Sequence, residues 1–281
     1  MNVACTGRSR AIGARIAGHL GAGVAETSFS RFPDGEISLR TGPLDEATVV
    51  VGSLLSGDSL VELLLLIDAC SGSKVTLVVP YLGYARQDRA FQPGEPVSAR
   101  AIARALSPGV SRVITVNVHK DTVLSHFTVP ASGVDLAPDV GDYIATLGLD
   151  EPLILAPDKG AGSFAAAVAS RGGWEHDHLE KTRVSGTEVR MEPLGRGPWK
   201  GDVVLVDDII STGGTLATAS RMLLDQGAKG VHAVCVHGLF AGTALSLLRS
   251  AGIGHIAASD TIESGESRYS AAGAIARAIA R

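Results

Sequence analysis

Along the chain, short runs of β-branched and apolar residues alternate with longer stretches whose apolar positions recur at helical spacing. The candidate strands are Thr48 to Val51, Val75 to Val79, Val113 to Val118, Leu153 to Ala156, Val203 to Val206 and Val231 to Val236. Between them the pattern predicts helices over Leu60 to Ala69, Ser98 to Leu106 and Thr215 to Leu224. Strands that are apolar throughout are buried on both faces, so this βαβ order implies an α/β fold with parallel sheets covered by helices on each side. The most apolar stretch, Leu60 to Ala69, carries Glu62 and Asp68 and falls well short of the roughly 20 residues needed to cross a bilayer. It reads as a core helix, and no membrane association is expected.

The pattern also repeats. Setting Val51 against Val206, an offset of 155, pairs Ser56 with Ser211, Gly72 with Gly227 and Lys74 with Lys229. In both copies a strand enters a polar Gly/Ser turn, a helix ends near glycine and a second strand follows. Any two βαβ units share these features, so the match by itself leaves duplication and coincidence both open. It supports two domains, 1–138 and 139–281, divided after the segment PASGVDLAPD. The copies differ at one place: the first has VGSLLSGDSL where the second has VDDIISTGGT. From Gly172 to Trp199 the chain is rich in Gly, Thr and charge with weak periodicity, which predicts a loop or hairpin of the kind that serves as a lid.

Composition narrows the classes. Of 281 residues, 45% are hydrophobic and 19% charged, enough apolar content for a buried core and too much for a disordered chain. The net charge of -4 gives no overall field that recruits nucleic acid or an anionic membrane, so any phosphate binding must be local. Cys5, Cys70 and Cys235 are far apart and form no C-x-x-C pair, which points to neither a zinc site nor a disulfide framework. A reducing cytoplasm is the simplest compartment. The start, MNVACTGRSR, has too short an apolar stretch for a signal peptide.

The strongest chemical signal is the run from Val203 to Thr215. An apolar strand ends at Asp207 and Asp208, and Ser211, Thr212, Gly213, Gly214 and Thr215 then supply hydroxyls and flexible amides at a helix start. The positive end of a helix favours phosphate there, and the carboxylates can accept hydrogen bonds from the vicinal hydroxyls of a sugar. A lone TGGT is better read as a tight turn. With two carboxylates directly before it, the combination reads as a ribose-phosphate cradle.

This segment resembles the phosphoribosyl-diphosphate loop of type I phosphoribosyltransferases and of the synthetases that make their donor substrate. Two other regions separate those families. Arg31-Phe-Pro-Asp-Gly-Glu36, and Pro80-Tyr-Leu-Gly-Tyr-Ala-Arg-Gln-Asp-Arg89 followed by Glu95-Pro-Val-Ser-Ala-Arg100, look like nucleotide-binding elements of the synthetases that ordinary phosphoribosyltransferases lack. From about Phe29 to Ala258 the chain therefore resembles the ribose-phosphate diphosphokinases. The resemblance implies two similar doubly wound parallel-sheet domains of the type I phosphoribosyltransferase kind. It also implies transfer of the diphosphate of ATP to ribose 5-phosphate for nucleotide biosynthesis, with Mg2+, and self-association into a homo-oligomer. The rival readings are a phosphoribosyltransferase and a non-catalytic regulatory relative of the synthetases.

The resemblance also assigns residues. Phe32, Asp34, Gly35 and Glu36 are implied to reach a neighbouring subunit's ATP, and an aromatic ring with nearby acceptors suits a purine nucleoside; alone, Pro33-Asp34-Gly35 reads as a plain turn. Arg86 and Gln87 follow a strand through a short turn, and a guanidinium fork there suits polyphosphate oxygens. Arg89 and Arg100 are as consistent with ion pairs. His119 and Asp158 both follow strands, where doubly wound sheets gather their sites, and are implied to contact the metal. A histidine is an unusual ligand for so hard a cation, so contact through water or with a phosphate is the alternative at His119. Family members commonly carry an acidic residue two positions before this histidine, whereas this chain has Asn117.

Lys181 and Arg183 match a catalytic lysine and arginine of the synthetases, with Arg183 also meeting ribose 5-phosphate. In an extended segment, residues two apart share a face; spacing alone would make them an exposed basic pair. His176 and His178 read as loop surface, and His237 and His255 as satisfied by nearby backbone.

Overall fold

The computed structural model describes residues 1–183, 189–191 and 199–281, with the backbone alone described at 181–183 and 189–191. They form two units: Met1–Asp135 with Thr261–Glu263 and Ser270–Arg281, and Leu136–Asp260 with Ser264–Tyr269.

In the first unit the strands are β1 (Asn2–Cys5), β2 (Gly23–Val24), β3 (Thr27–Arg31), β4 (Ile37–Thr41), β5 (Ala47–Val51), β6 (Lys74–Val79), β7 (Arg112–Val116) and β8 (Ala131–Val134). Its helices are α1 (Arg10–Leu20), α2 (Gly57–Ala69) and α3 (Ser98–Leu106). The six-stranded sheet runs β2-β1-β5-β6-β7-β8 with every pair parallel. Strands β3 and β4 form a separate antiparallel hairpin.

The second unit adds α4 (Ala137–Ala145), β9 (Leu153–Ala156), α5 (Gly162–Ala169), β10 (His176–His178), β11 (Lys181–Arg183) and β12 (Val189–Met191). It continues through β13 (Asp202–Ile210), α6 (Gly214–Asp225), β14 (Gly230–Gly238), α7 (Ala244–Ser250), β15 (Ile253–Ser259) and β16 (Ser267–Tyr269). Its sheet order is β10-β9-β13-β14-β15-β16, again parallel throughout. Strands β11 and β12 form its antiparallel hairpin, Lys181 opposite Met191 and Arg183 opposite Val189.

The two sheets therefore share one plan. In each, the first strand lies second in the sheet, a helix returns the chain to the edge, a hairpin follows, and the next strand lies third. Shifting the first copy by 155 residues puts α2 at 212–224, against the observed Gly214–Asp225. The internal repeat is thus matched by topology.

Each sheet is buried as its sequence requires. Leu153, Ile154, Leu155 and Ala156 of β9 and Val49, Val50 and Val51 of β5 have at most 1% exposure, as expected of strands covered on both faces. One packed cluster in the first unit joins Leu63 and Leu66 of α2 to Val50, Leu77 and Val113. Its counterpart joins Leu216 and Leu223 of α6 to Leu155, Leu205 and Ala233.

Several expectations need correction. The helix containing Leu60 to Ala69 is not buried all round: Val61 is 43% and Leu64 36% exposed, so α2 covers the sheet with one face. His176 and His178 lie in an edge strand paired with β9, not in a loop. A single cut between 138 and 139 does not describe the observed units, because α8 (Ala272–Ile279) groups with the first unit. There it packs on α1, with Ala272, Ile275 and Ile279 buried.

Candidate active site

The acidic pair lies inside β13, not after it. The partner strand β14 is equally long, and pairing continues through Asp207 opposite Cys235 to Ile210 opposite Gly238. Leu239 and Phe240 then donate their amides to the Ile210 carbonyl, and Ala241 to that of Ser211. The strand end is thereby pinned by the loop after β14. Successive strand residues project to opposite faces, and here the Asp208 amide donates to Asp207 Oδ1 at 2.9 Å.

Burial pushes the Asp207 carboxyl up to about 8, helped by the adjacent Asp208 carboxylate and, more weakly, by Asp158. All three carboxyl groups belong to the second unit, and the charges of Asp208 and Asp158 both oppose the ionisation of Asp207.

The turn that follows leaves its donors open. Helix α6 starts at Gly214 with Gly213 as its N-cap, at φ 75° and with no side-chain cap. The first helical turn has no internal acceptors for its amides. Among the described residues, no protein acceptor meets the amides of 212–216, and the hydroxyls of Ser211, Thr212 and Thr215 make no hydrogen bond. Gly213 is required twice over: its φ is left-handed, and an added Cβ would stand 3.0 Å from Leu248 Cγ. The arrangement is a run of open donors beside two carboxylates, which suits a phosphate carried on a polyol.

In the first unit the segment Arg31 to Glu36 forms the tip of the β3–β4 hairpin. Gly35, at φ 95°, donates to Phe32 O, and Phe32 N to Glu36 O, both at 2.9 Å. Asp34 Oδ1 accepts from the Glu36 amide at 3.2 Å. Arg31 donates to Gly35 O at 2.8 Å and pairs with Asp58 of α2 at 2.5 Å, fixing the base of the tip. Phe32 stands 54% exposed, and Asp34 and Glu36 are exposed beside it.

Arg86 and Gln87 lie in the loop between β6 and α3. Tyr84 opens this loop in a left-handed conformation, φ 65°, unusual for an aromatic residue. The Gln87 side chain accepts from the Ser98 hydroxyl, and its carbonyl accepts from Ala99 N at 3.2 Å, so the helix start holds it. Arg86 is exposed and has no ion-pair partner among the described residues. Glu95 accepts from the amides of Phe91 and Gln92 at 2.8 and 3.1 Å, organising the far side. Arg89 lies over the Phe91 ring, 5.4 Å from its centre; this cation–π contact stands where an ion pair was the expectation.

His119 is exposed beyond β7, after Asn117 at φ 35°. The amide side chain of Asn117 donates to Asp135 at 3.2 Å. Asparagine tolerates this left-handed backbone. Asp158 follows β9 and accepts from the Gly160 amide through Oδ1 at 2.8 Å. Among the described residues no three His, Cys, Asp or Glu side chains are grouped as metal ligands. Magnesium uses one or two carboxylates and completes its shell with water and phosphate oxygens. The negative charge that Asp208 and Asp158 bring to bear on Asp207 is the kind a divalent cation relieves, so the donor set fits.

Lys181 and Arg183 sit on β11, one arm of a hairpin within the stretch expected to be loop or hairpin, so the condition that the segment be extended is met; their side chains lie outside the described residues. His255 is held by a side chain rather than backbone: Tyr143 Oη lies 2.8 Å from its Nε2. The feature that sequence reasoning missed is the ion pair between Asp88 and Lys120 at 2.6 Å. It joins residues 32 apart in sequence, and no local pattern signals it.

A family model described as the N-terminal domain of ribose phosphate pyrophosphokinase matches residues 1–108, and a phosphoribosyl transferase domain model matches residues 136–247. A ribose-phosphate pyrophosphokinase of Methanosarcina acetivorans is 45% identical over 276 residues, covering 97% of both chains. One from Methanopyrus kandleri is 41% identical over 286 residues, covering 99% of this chain and 98% of its own. The crystal structure of phosphoribosylpyrophosphate synthetase from Mycobacterium smegmatis matches with a TM-score of 0.85 at 26% identity, over 99% of this chain and 97% of that one. No helix among the described residues is long and apolar enough to cross a membrane.

Proposed function

The chain belongs to the ribose-phosphate pyrophosphokinase family, and from that premise we infer that it transfers the diphosphate of ATP to the anomeric hydroxyl of ribose 5-phosphate, giving 5-phosphoribosyl 1-diphosphate and AMP. The observation that supports this most directly is the turn after β13, where Asp207 and Asp208 adjoin amides and hydroxyls that meet no protein acceptor among the described residues.

The 5-phosphate accepts hydrogen bonds from the amides and hydroxyls of Ser211, Thr212, Gly213, Gly214 and Thr215. The ribose hydroxyls donate to Asp207 and Asp208. ATP is held by Arg86 and Gln87 and by Phe32, Asp34, Gly35 and Glu36 of a neighbouring copy. The exposure of Phe32 at a hairpin tip favours such a reach, and a homo-oligomer is part of the reading. Mg2+ would accompany ATP, with His119 of the first unit and Asp158 of the second as the residues assigned to contact it, and would supply charge neutralisation at the phosphates.

In the reaction the anomeric oxygen forms a bond to the β-phosphorus. The bond from that phosphorus to the oxygen bridging toward the α-phosphorus breaks, AMP leaves with that oxygen, and the hydroxyl proton is carried off on a phosphate oxygen of the products and released to solvent with them. Such transfer depends on positioning and charge stabilisation rather than on a protein nucleophile. Lys181 and Arg183 supply that stabilisation when the β11–β12 hairpin covers the transferring group, and the same closure excludes water.

Phosphorus NMR of the purified protein with magnesium, ATP and ribose 5-phosphate tests the reading. Expected are AMP and a diphosphoryl group on the sugar. Formation of ADP would mean that one phosphorus moves, and diphosphate release only on adding a nucleobase would point to a phosphoribosyltransferase.

A further inference from the structure

Two loops of the first unit bear residues assigned above to ATP or to the Mg2+ that accompanies it, and an ion pair joins them. Asp88 follows Arg86 and Gln87 in the loop after β6, while Lys120 follows His119 after β7. Lys120 Nζ donates to Asp88 Oδ2 at 2.6 Å. The carboxylate is the enclosed partner, 12% exposed against 47% for the lysine. The Lys120 hydrogen bond holds the Asp88 carboxyl below its ordinary range.

The loop is anchored on either side of Asp88. Upstream, Gln87 is tied to the start of α3 through Ser98 and Ala99. Downstream, Glu95 holds the amides of Phe91 and Gln92. Among the described residues, no backbone–backbone hydrogen bond is made at 88–90. The Asp88 side chain therefore ties this stretch to the rest of the unit. A partly exposed ion pair contributes little to stability; its effect here is on position. With its charge engaged by a carboxylate, the lysine adds little net field for a polyanion.

We propose that Lys120 is a positioning residue: its pair with Asp88 latches the Arg86–Gln87 loop to the His119 loop, fixing the groups that receive the triphosphate of ATP. This rests on the reading of those residues as an ATP site. Loops held apart from their productive geometry lose affinity for the ligand they share, even though each side chain remains.

Calorimetric titration of the full chain with magnesium–ATP, without ribose 5-phosphate, tests the latch, with steady-state kinetics alongside. Lys120→Met and Asp88→Asn are each expected to weaken ATP binding about tenfold, and the double variant no further, as for two residues that act as a unit. Lys120→Arg should restore affinity to within about threefold, because it keeps the charge. The KM for ribose 5-phosphate should stay constant in all four.

Additive losses in the double variant would overturn the proposal. So would unchanged affinity in either single variant; a loss in Lys120→Met alone would make the lysine itself a phosphate ligand. Equal rises in both KM values would mark a merely structural pair. A wild-type protein that binds ATP but forms no AMP would sink the diphosphotransferase reading, and the affinities would still decide the latch.

Discussion

The turn between β5 and α2 and the turn between β13 and α6 occupy the same place in two sheets of identical strand order, yet they treat their backbone donors in opposite ways. In the first, every amide from 52 to 56 has an acceptor. Gly52 donates to Val78 O and Leu54 to Tyr81 O; Ser53 donates to the Ser9 hydroxyl; Leu55 and Ser56 donate to the Ser59 hydroxyl at 2.8 Å. Ser56 in turn caps the Ser59 amide, a reciprocal capping box. In the second, a glycine replaces the capping serine, and the amides of 212–216 meet no protein acceptor among the described residues. At the helix start itself the first copy caps Ser59 from Ser56 and leaves only the amides of Gly57 and Asp58 without a protein acceptor among the described residues, whereas the second leaves all of 212–216 without one; the second is the start that the proposed function gives to the 5-phosphate. The hairpins differ in parallel: β3–β4 displays an aromatic ring, while β11–β12 carries Lys181 and Arg183.

The contrast can be broken in graded ways. The largest effect is expected from Lys181→Ala, which removes a charge from the second hairpin: turnover should fall by about 10³-fold with the thermal midpoint unchanged. Unaltered turnover in a quenched-flow assay would remove the closing role of that hairpin. Next, Gly213→Ala imposes a Cβ at φ 75° and 3.0 Å from Leu248. Stability should drop by about 1–2 kcal/mol for the left-handed backbone alone, and the KM for ribose 5-phosphate should rise about tenfold; denaturant melts and initial rates report the two separately.

Asp207→Asn gives a pH-dependent change. The folded carboxyl is raised to about 8, so the proton binds the folded state more tightly than the unfolded one. That contribution is whole below the unfolded value near 4 and is lost as pH rises through 8. The asparagine variant should therefore melt above the parent at pH 9, by on the order of ten degrees for a shift of that size, with the advantage vanishing at pH 4. A calorimetric scan series in which the difference between the two midpoints does not shrink from pH 9 to pH 4 would reject the assigned shift. The smallest effect is that of Ser56→Ala, which opens the first turn: about 1 kcal/mol of stability, with rate constants for the reaction unchanged.

Much of the sheet framework was legible because buried parallel strands read as unbroken apolar runs. Leu153 to Ala156 and Ser98 to Leu106 fall where the pattern puts them. Local pattern failed where pairing decides the outcome. His176–His178 is polar and becomes a strand only through β9, and the acidic pair is strand because β14 runs on to Gly238 beside it. At the site, chemistry concentrated in one segment, from Asp207 to Thr215, could be read from residue types. The rise in Asp207 comes mainly from its burial in the folded sheet, and the loop after β6 is tied by Lys120; both arise only when distant segments are brought together, which no window of sequence contains.

The packing of α8 against α1 has a consequence for synthesis. A nascent polypeptide emerges from the ribosome N-terminus first, so the whole of the second sheet is made before residues 272–279 arrive to cover α1 and the flank of β7. The N-terminal sheet is therefore completed late. Until then its apolar flank is work for a chaperone, and a premature stop near codon 270 would injure the half of the protein translated first.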